Sequence, residues 1–393
     1  MAASTGQPGR GGAELLRRLW PLLTSLAVLA VLVAGLFGTH YGRLAFTSAA
    51  FLPDLMVDLP VRPVTWFTSD PVRERVTLRY ADGKTMPADL YRPPHGRHGA
   101  IIFVMGAPPL EPDDSRLERL ADSAARAGYA MLIPFSPDLE REFIAREEPE
   151  AYVAAFEYLR EQSFVDPDRI GFIGVSVGGS LALIAASDPR ISADVDFLVS
   201  FGAYYDALDT LAAVTTHTIS YGGREEPWDP RLHTERVMAE QLIDRLEDSG
   251  DRDLLWRVFV DQENVSSADL ASLTPTGRHA YEFLSNRDPA RVPELIELLP
   301  PAFLDDMRAL SPSLRLDSIQ AEIFILHDRS DRYIPYVESR RLRDRLAGHP
   351  NLHYTELTVF EHVEPRSDRG ALALFLDGSH LYFRLYQLLL RLS

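Results

Sequence analysis

The sequence predicts an α/β fold, a mostly parallel twisted sheet flanked by helices. From about Arg73 onward, strand-like and helix-like signals alternate, as in a chain that crosses back over a parallel sheet after each strand. Residues 100–105 form a short, wholly apolar run of the kind buried on both faces of a sheet, and 169–174 has the same character. With 393 residues, 46% hydrophobic and 25% charged, the chain can bury a full core.

The elements follow in order. Residues 73–80 alternate polar and apolar side chains, the turn Ala81-Asp82-Gly83-Lys84 follows, and 86–91 returns as a second strand, which makes the entry a hairpin. After the strand 100–105, helical periodicity covers 113–126 and stops at Gly128. A strand is expected at 130–134, a helix at 151–162, a strand at 169–174 and a helix at 176–186. Later strands are expected at 196–201, 323–327 and 353–360, with a closing helix over about 371–392. Between Phe201 and Ile323 the strand rhythm stops. Helical patterns fill this interval at 238–246, 253–260, 267–273, 277–285 and 293–307. Residues 206–311 are too many for a loop, so they are expected to form a helical cap inserted in a core of residues 73–205 and 312–393.

The N-terminus is set apart from this domain. Residues 20–38 carry no charge and are dominated by Leu, Val and Ala. As a helix they would span about 28 Å, close to the hydrocarbon thickness of a bilayer. A secretory signal has a shorter apolar core, roughly 7–15 residues, and no small-x-small cleavage site follows here. A transmembrane helix at 20–38 is therefore expected, after a short basic tail (1–19) and before a proline-containing linker (39–72). Arg10, Arg17 and Arg18 precede the span, whereas Arg43 and Arg62 follow it among Asp54 and Asp58, which places the large domain on the extracytoplasmic side.

Chemistry concentrates at Gly174-Val175-Ser176-Val177-Gly178, a Gly-x-Ser-x-Gly pattern with a strand before it and a helix after it. Such a turn strains the serine backbone, needs small flanking residues, and points the hydroxyl at a helix N-terminus. Ser176 is the candidate nucleophile. A serine requires a base, and the base an orienting acid, in the chain order Ser, acid, His for this arrangement. Two strand ends supply them: His327-Asp328-Arg329-Ser330-Asp331 and Glu361-His362. Strand C-termini are where open α/β sheets place their chemistry. Asp331 and His362 are the candidate acid and base, with Asp328 the rival acid. His353 stands at the start of its strand, the wrong end of the sheet, and His327 ends one, which suits packing better than catalysis. An oxyanion hole takes one N–H from Val177 and a second from the loop Met105-Gly106-Ala107-Pro108-Pro109. Neither proline can donate, so Ala107 is the first choice and Gly106 the second.

Residues 164–179, running from Phe164 through Asp166-Pro167-Asp168-Arg169 to Gly179, resemble the nucleophile region of dienelactone-hydrolase-like and prolyl-oligopeptidase-like members of the α/β-hydrolase superfamily. Residues 327–335 resemble their acid loop, usually His-Gly-x-x-Asp-x-x-Val-Pro, which puts Asp331 in the acid position and Asp328 where glycine is usual. The resemblance covers roughly 73–205 and 312–392 and implies a serine hydrolase acting on carboxylic ester-type bonds through an acyl-enzyme. Dienelactone hydrolases proper use cysteine, and this chain has none. The peptidase relatives carry a propeller, for which this chain has only a linker and an anchor. Tyr204, Tyr205, Trp228, Trp256 and Phe259 are candidate lining residues of a pocket beneath the cap.

Other classes are narrowed by composition. A net charge of −17 argues against a nucleic-acid partner. Absent cysteine excludes disulfides and thiolate sites, and His95 and His98 are too isolated to suggest a metal, so no cofactor is expected. The expected partner is a small-molecule or lipid-like acyl substrate, with a membrane through residues 20–38. An acyltransferase using the same triad, a peptidase, and a non-catalytic binding protein are the alternatives.

Overall fold

A computed structural model describes residues 68–365 and 370–392 continuously, with a scatter of residues between 20 and 65. The core begins with a hairpin of β1 (Val72–Tyr80) and β2 (Lys84–Arg92), paired from Val72 opposite Arg92 to Tyr80 opposite Lys84. Then come β3 (His98–Val104), α1 (Ser115–Arg126), β4 (Ala130–Pro134), α2 (Glu148–Arg160), β5 (Val165–Val175), α3 (Val177–Ala186) and β6 (Val195–Phe201). After an insertion the core resumes with β9 (Glu322–Asp328), α11 (Tyr336–Arg345), β10 (Leu352–Leu357) and α12 (Ala371–Leu392). The eight core strands form one sheet in the order β1-β2-β4-β3-β5-β6-β9-β10. β2 runs antiparallel to both neighbours, and every other pairing is parallel.

The apolar runs alternate between the two faces of this sheet. In β3, Ala100, Ile102 and Val104 join one cluster with α2 and α3, while Ile101 and Phe103 join a second with α1 and α12. β4 and β9 divide the same way, with Leu132 and Ile325 on the first side and Met131 and Phe324 on the second. Helix starts are fixed by local chemistry. The Asp114 carboxylate accepts the N–H of Arg116 and caps α1, which in such positions stabilises a helix by about 1 kcal/mol.

Between β6 and β9 lie α4 (Ala207–Thr216), a hairpin of β7 (Thr218–Tyr221) and β8 (Arg224–Pro227), then α5 (Leu232–Ile243), α6 (Ser249–Phe259), α7 (Ser267–Ala271), α8 (Pro275–Leu284), α9 (Val292–Glu297) and α10 (Pro301–Ala309). Two expectations are corrected here. The insertion is not wholly helical: Gly222 and Gly223, both at positive φ, turn the chain into the hairpin. Nor is 293–307 one helix, because Pro300 and Pro301 lack the N–H groups that would carry α9 into α10. The last core strand also stops earlier than expected, at Leu357. The N–H groups of Thr358 and Phe360 go to the side chains of Asp377 and Asp328 instead of a neighbouring strand.

The tail 1–19 and most of the linker 39–72 lie outside the described residues, as does most of the expected span 20–38. The members of that span that are described, among them Trp20, Val28 and Val31, are helical and exposed. Among the described residues no helix is long and apolar enough to cross a membrane. Helical residues of 41–49 return to the domain: Leu44 packs with Leu388 and Leu389 of α12, and the Tyr382 hydroxyl donates to the Ala45 carbonyl at 3.3 Å.

Candidate active site

β5 ends at Val175, and the chain turns through Ser176, at φ 59° and ψ −137°, directly into α3. A non-glycine residue held there costs on the order of 1–3 kcal/mol, which the surrounding packing must offset. The packing is tight. A Cβ on Gly178 would lie 2.3 Å from the carbonyl oxygens of Val104 and Met105, so only glycine lets α3 seat against the end of β3. The Ser176 N–H donates to the Phe201 carbonyl at 2.8 Å, which ties the turn to the end of β6. The loop after β3 lies over the serine, since a Cβ on Gly106 would stand 2.8 Å from Ser176 Cβ. Ala107 belongs to this loop, and Val177 opens α3, where first-turn N–H groups have no intrahelical acceptor. Val177 is thus at the serine turn, and the loop residue seen against Ser176 is Gly106, the second choice.

Asp331 lies just beyond β9, only 1% exposed. Its Oδ1 accepts the N–H groups of Tyr333 (2.7 Å) and Ile334 (2.9 Å). Its Oδ2 meets His362 Nδ1 at 2.6 Å and His327 Nε2 at 3.2 Å. Burial alone would push this carboxyl up, but the two imidazoles outweigh it and hold Asp331 well below the usual carboxylate range. The side chain is therefore an anion with every lone pair occupied. His362 is 7% exposed, sits at φ 61°, and has its ring stacked on Tyr333 with centroids 5.0 Å apart. Because Nδ1 donates to Asp331, Nε2 is left as the proton acceptor. A Cβ on Gly202, at the end of β6, would fall 3.2 Å from the His362 ring, so base and nucleophile flank the same strand end. No hydrogen bond joins Ser176 Oγ to His362 among the described residues; such bonds commonly tighten only with substrate in place.

Asp328, the rival acid, is fully enclosed and does something else. It accepts the N–H of Ser330 at 2.6 Å and the N–H of Phe360 at 2.8 Å, clamping the strand end that carries the acid to the loop that carries His362. The neighbouring arginines pair elsewhere, Arg329 with Glu356 and Arg332 with Asp229. His327 is buried beneath Asp331 with Nε2 also 3.1 Å from the Ile334 carbonyl, whereas His353 pairs with Glu322 and stacks on Phe324. The His98 ring meets the His95 carbonyl, and no cluster able to hold a metal occurs among the described residues.

The aromatic candidates divide. Tyr204 is plain core, Trp256 is 42% exposed, and Phe259 packs on Tyr281. Tyr205 contributes its N–H to the Glu338 carboxylate. Trp228 is the informative one: its Nε1–H donates to the Asp331 carbonyl at 2.9 Å, so the insertion grips the acid loop. Arg231 extends the grip through its N–H to the Arg332 carbonyl and its guanidinium to Glu361, the neighbour of His362. Sequence reasoning missed the Arg231–Glu361 pair and Asp377, whose carboxylate takes both the N–H and the hydroxyl of Thr358. Neither belongs to a motif.

Residues 144–197 match the model of the prolyl oligopeptidase family. A probable 2-oxo-3-(5-oxofuran-2-ylidene)propanoate lactonase of Bradyrhizobium sp is 30% identical over 182 residues, covering 39% of this chain and 72% of the lactonase. Among solved structures, 2,6-dihydroxy-pseudo-oxynicotine hydrolase aligns at 19% identity and a TM-score of 0.43, over 81% of this chain and 68% of its own. Pyrococcus horikoshii acylaminoacyl peptidase aligns at 13% and 0.46, and this chain spans 41% of that enzyme's length. The match to most of the lactonase, joined to a sheet whose central strand ends in a strained serine turn, shows that the chain belongs to the α/β-hydrolase superfamily of serine hydrolases.

Proposed function

We propose that the protein hydrolyses a carboxylic ester-type bond, lactones included, through an acyl-enzyme on Ser176. The observation that carries this is the buried Asp331–His362 pair, held at 2.6 Å beside the strained serine. Ser176 Oγ attacks the carbonyl carbon and its proton passes to His362 Nε2. The tetrahedral oxyanion is met by the N–H groups of Val177 and Ala107. Collapse breaks the acyl–oxygen bond, and the leaving alkoxide takes the proton from His362. Water then attacks the acyl-enzyme with His362 again as base, which regenerates Ser176 and releases the acid. Asp331 holds the imidazole in its Nδ1–H form and stabilises the imidazolium as it forms.

The apolar run 20–38 supports a second part of the reading: a membrane anchor with this domain on the extracytoplasmic side. Membrane flotation of the full chain, set against a chain lacking residues 1–38, tests it. For the chemistry, a fluorophosphonate probe is expected to label the wild type and spare Ser176→Ala. Equal labelling of both proteins would overturn the assignment.

A further inference from the structure

α12 is amphipathic in a way that packing within the domain does not use up. Its inner face carries Asp377, Arg384, Leu388 and Leu389, which contact the sheet, the base loop and residue 44. The opposite face presents Leu372, Phe375, Leu376, Phe383 and Leu390, between 39% and 72% exposed. The spacing from 372 through 376 and 383 to 390 follows the helical repeat, so these side chains form one stripe along the helix, and no charged residue falls within it. An uncharged exposed stripe with two phenylalanines marks an interaction surface.

The chain itself indicates what covers it. The apolar run 20–38 leads directly into the helical residues 41–49, which lie against α12 through Leu44 and the Tyr382–Ala45 hydrogen bond. Where that run enters a bilayer, the half of α12 from Tyr382 to Leu389 is therefore held near the same surface. We infer that the outer face of α12 lies in the interfacial layer of the membrane as a second, non-spanning contact. A helix with Leu and Phe on one side and charged groups on the other is built to lie in that plane, with its apolar side among the upper acyl chains. The inference rests on the anchor proposed above. It adds that the domain is fixed in orientation as well as tethered. The helix that touches lipid is then the one whose Asp377 holds the loop before His362.

The absence of cysteine makes the test direct, because a single introduced thiol is the only labelling site. Full-length Phe383→Cys and, as a control on the insertion, Leu232→Cys, which is 46% exposed, are labelled with an environment-sensitive fluorophore. Both are reconstituted into phosphatidylcholine–phosphatidylglycerol vesicles with and without nitroxide-bearing lipid. Lipid quenching at least threefold stronger at 383 than at 232 is expected. Co-flotation of protein and vesicles with equal, weak quenching at both positions overturns this inference and leaves the anchor standing. Failure to co-float overturns the anchor and the inference with it. Shielding at 383 without lipid quenching, accompanied by cross-linking between copies, also overturns it, since a second copy would then be the occupant.

Discussion

Asp331 receives four donors in a site closed to water, whereas Asp328 receives two backbone N–H groups that belong to different loops. That difference assigns them separate duties. Replacing Asp331 by Asn keeps the shape but lets the amide favour the wrong imidazole tautomer, so kcat is expected to fall on the order of 10⁴-fold with the fold intact, as carboxylate loss in such triads does. Asp328→Ala leaves the Phe360 and Ser330 N–H groups without their acceptor, a desolvation loss of about 1–3 kcal/mol. Its expected effect is a kcat lower by roughly 10- to 100-fold with KM little changed, because the base is misplaced while the acyl pocket is not. Steady-state kinetics and a fluorophosphonate labelling rate on both variants check this. A larger loss in Asp328→Ala than in Asp331→Asn would exchange their roles. Sequence pattern could name Asp331 and His362 because the chemistry fixes residue type and chain order. It could not give Asp328 its clamping role, which depends on where the backbone of residue 360 passes.

At the scale of elements, legibility followed hydrophobic density. β3 and β4 were plain because both their faces are buried, which leaves short unbroken apolar runs. α11 was invisible: Tyr336, Val337 and Leu342 are its only buried apolar residues, set among six charged side chains, so no periodic stripe remains to be read. The β7–β8 hairpin did have a signal in Gly222-Gly223, but its strands are mostly exposed and alternate weakly. Two elements outside the catalytic motifs hold the site from opposite sides. The insertion does so through Trp228 on the Asp331 carbonyl, and α12 through Asp377 on Thr358. Trp228→Phe removes this hydrogen bond and part of a buried ring. It is expected to lower kcat by about 10-fold and unfolding stability by about 1 kcal/mol. Asp377→Asn, which keeps one acceptor, should be milder than Asp377→Ala, and both should depress kcat more than KM. A loss confined to thermal stability, with kcat unchanged, would show that these contacts serve folding alone.

For the whole molecule, the acidic balance and the buried carboxylates set how stability depends on pH. Burial pushes Glu148 up to about 7, against the hydrogen bonds it accepts from Ser136 and Tyr152. Burial likewise pushes Glu338 up to about 7, although Arg341 and the N–H groups of Tyr205 and Asp206 oppose the shift. Glu338 sits at the root of the insertion and Glu148 at the start of α2, so neither region titrates alone. A carboxyl whose folded pKa exceeds its unfolded value favours the folded state while protonated. That contribution is complete below the ordinary value of 4.5 and is lost as pH rises through about 7. Each group can thus withdraw up to ~3 kcal/mol across this window. Asp331, held low by its two histidines, works in the other direction and withdraws stability only as pH falls below the ordinary carboxylate range. The protein is therefore expected to be most stable near pH 5 and to weaken toward pH 8. Urea midpoints measured at half-unit steps from pH 4 to 8 should show this decline, with a visibly shallower slope for Glu148→Gln, whose amide can serve both hydroxyl partners without a charge. A midpoint that holds level or rises between pH 5 and 7.5, or an equal slope in the variant, would mean that the carboxyl at 148 is ionised in the fold throughout.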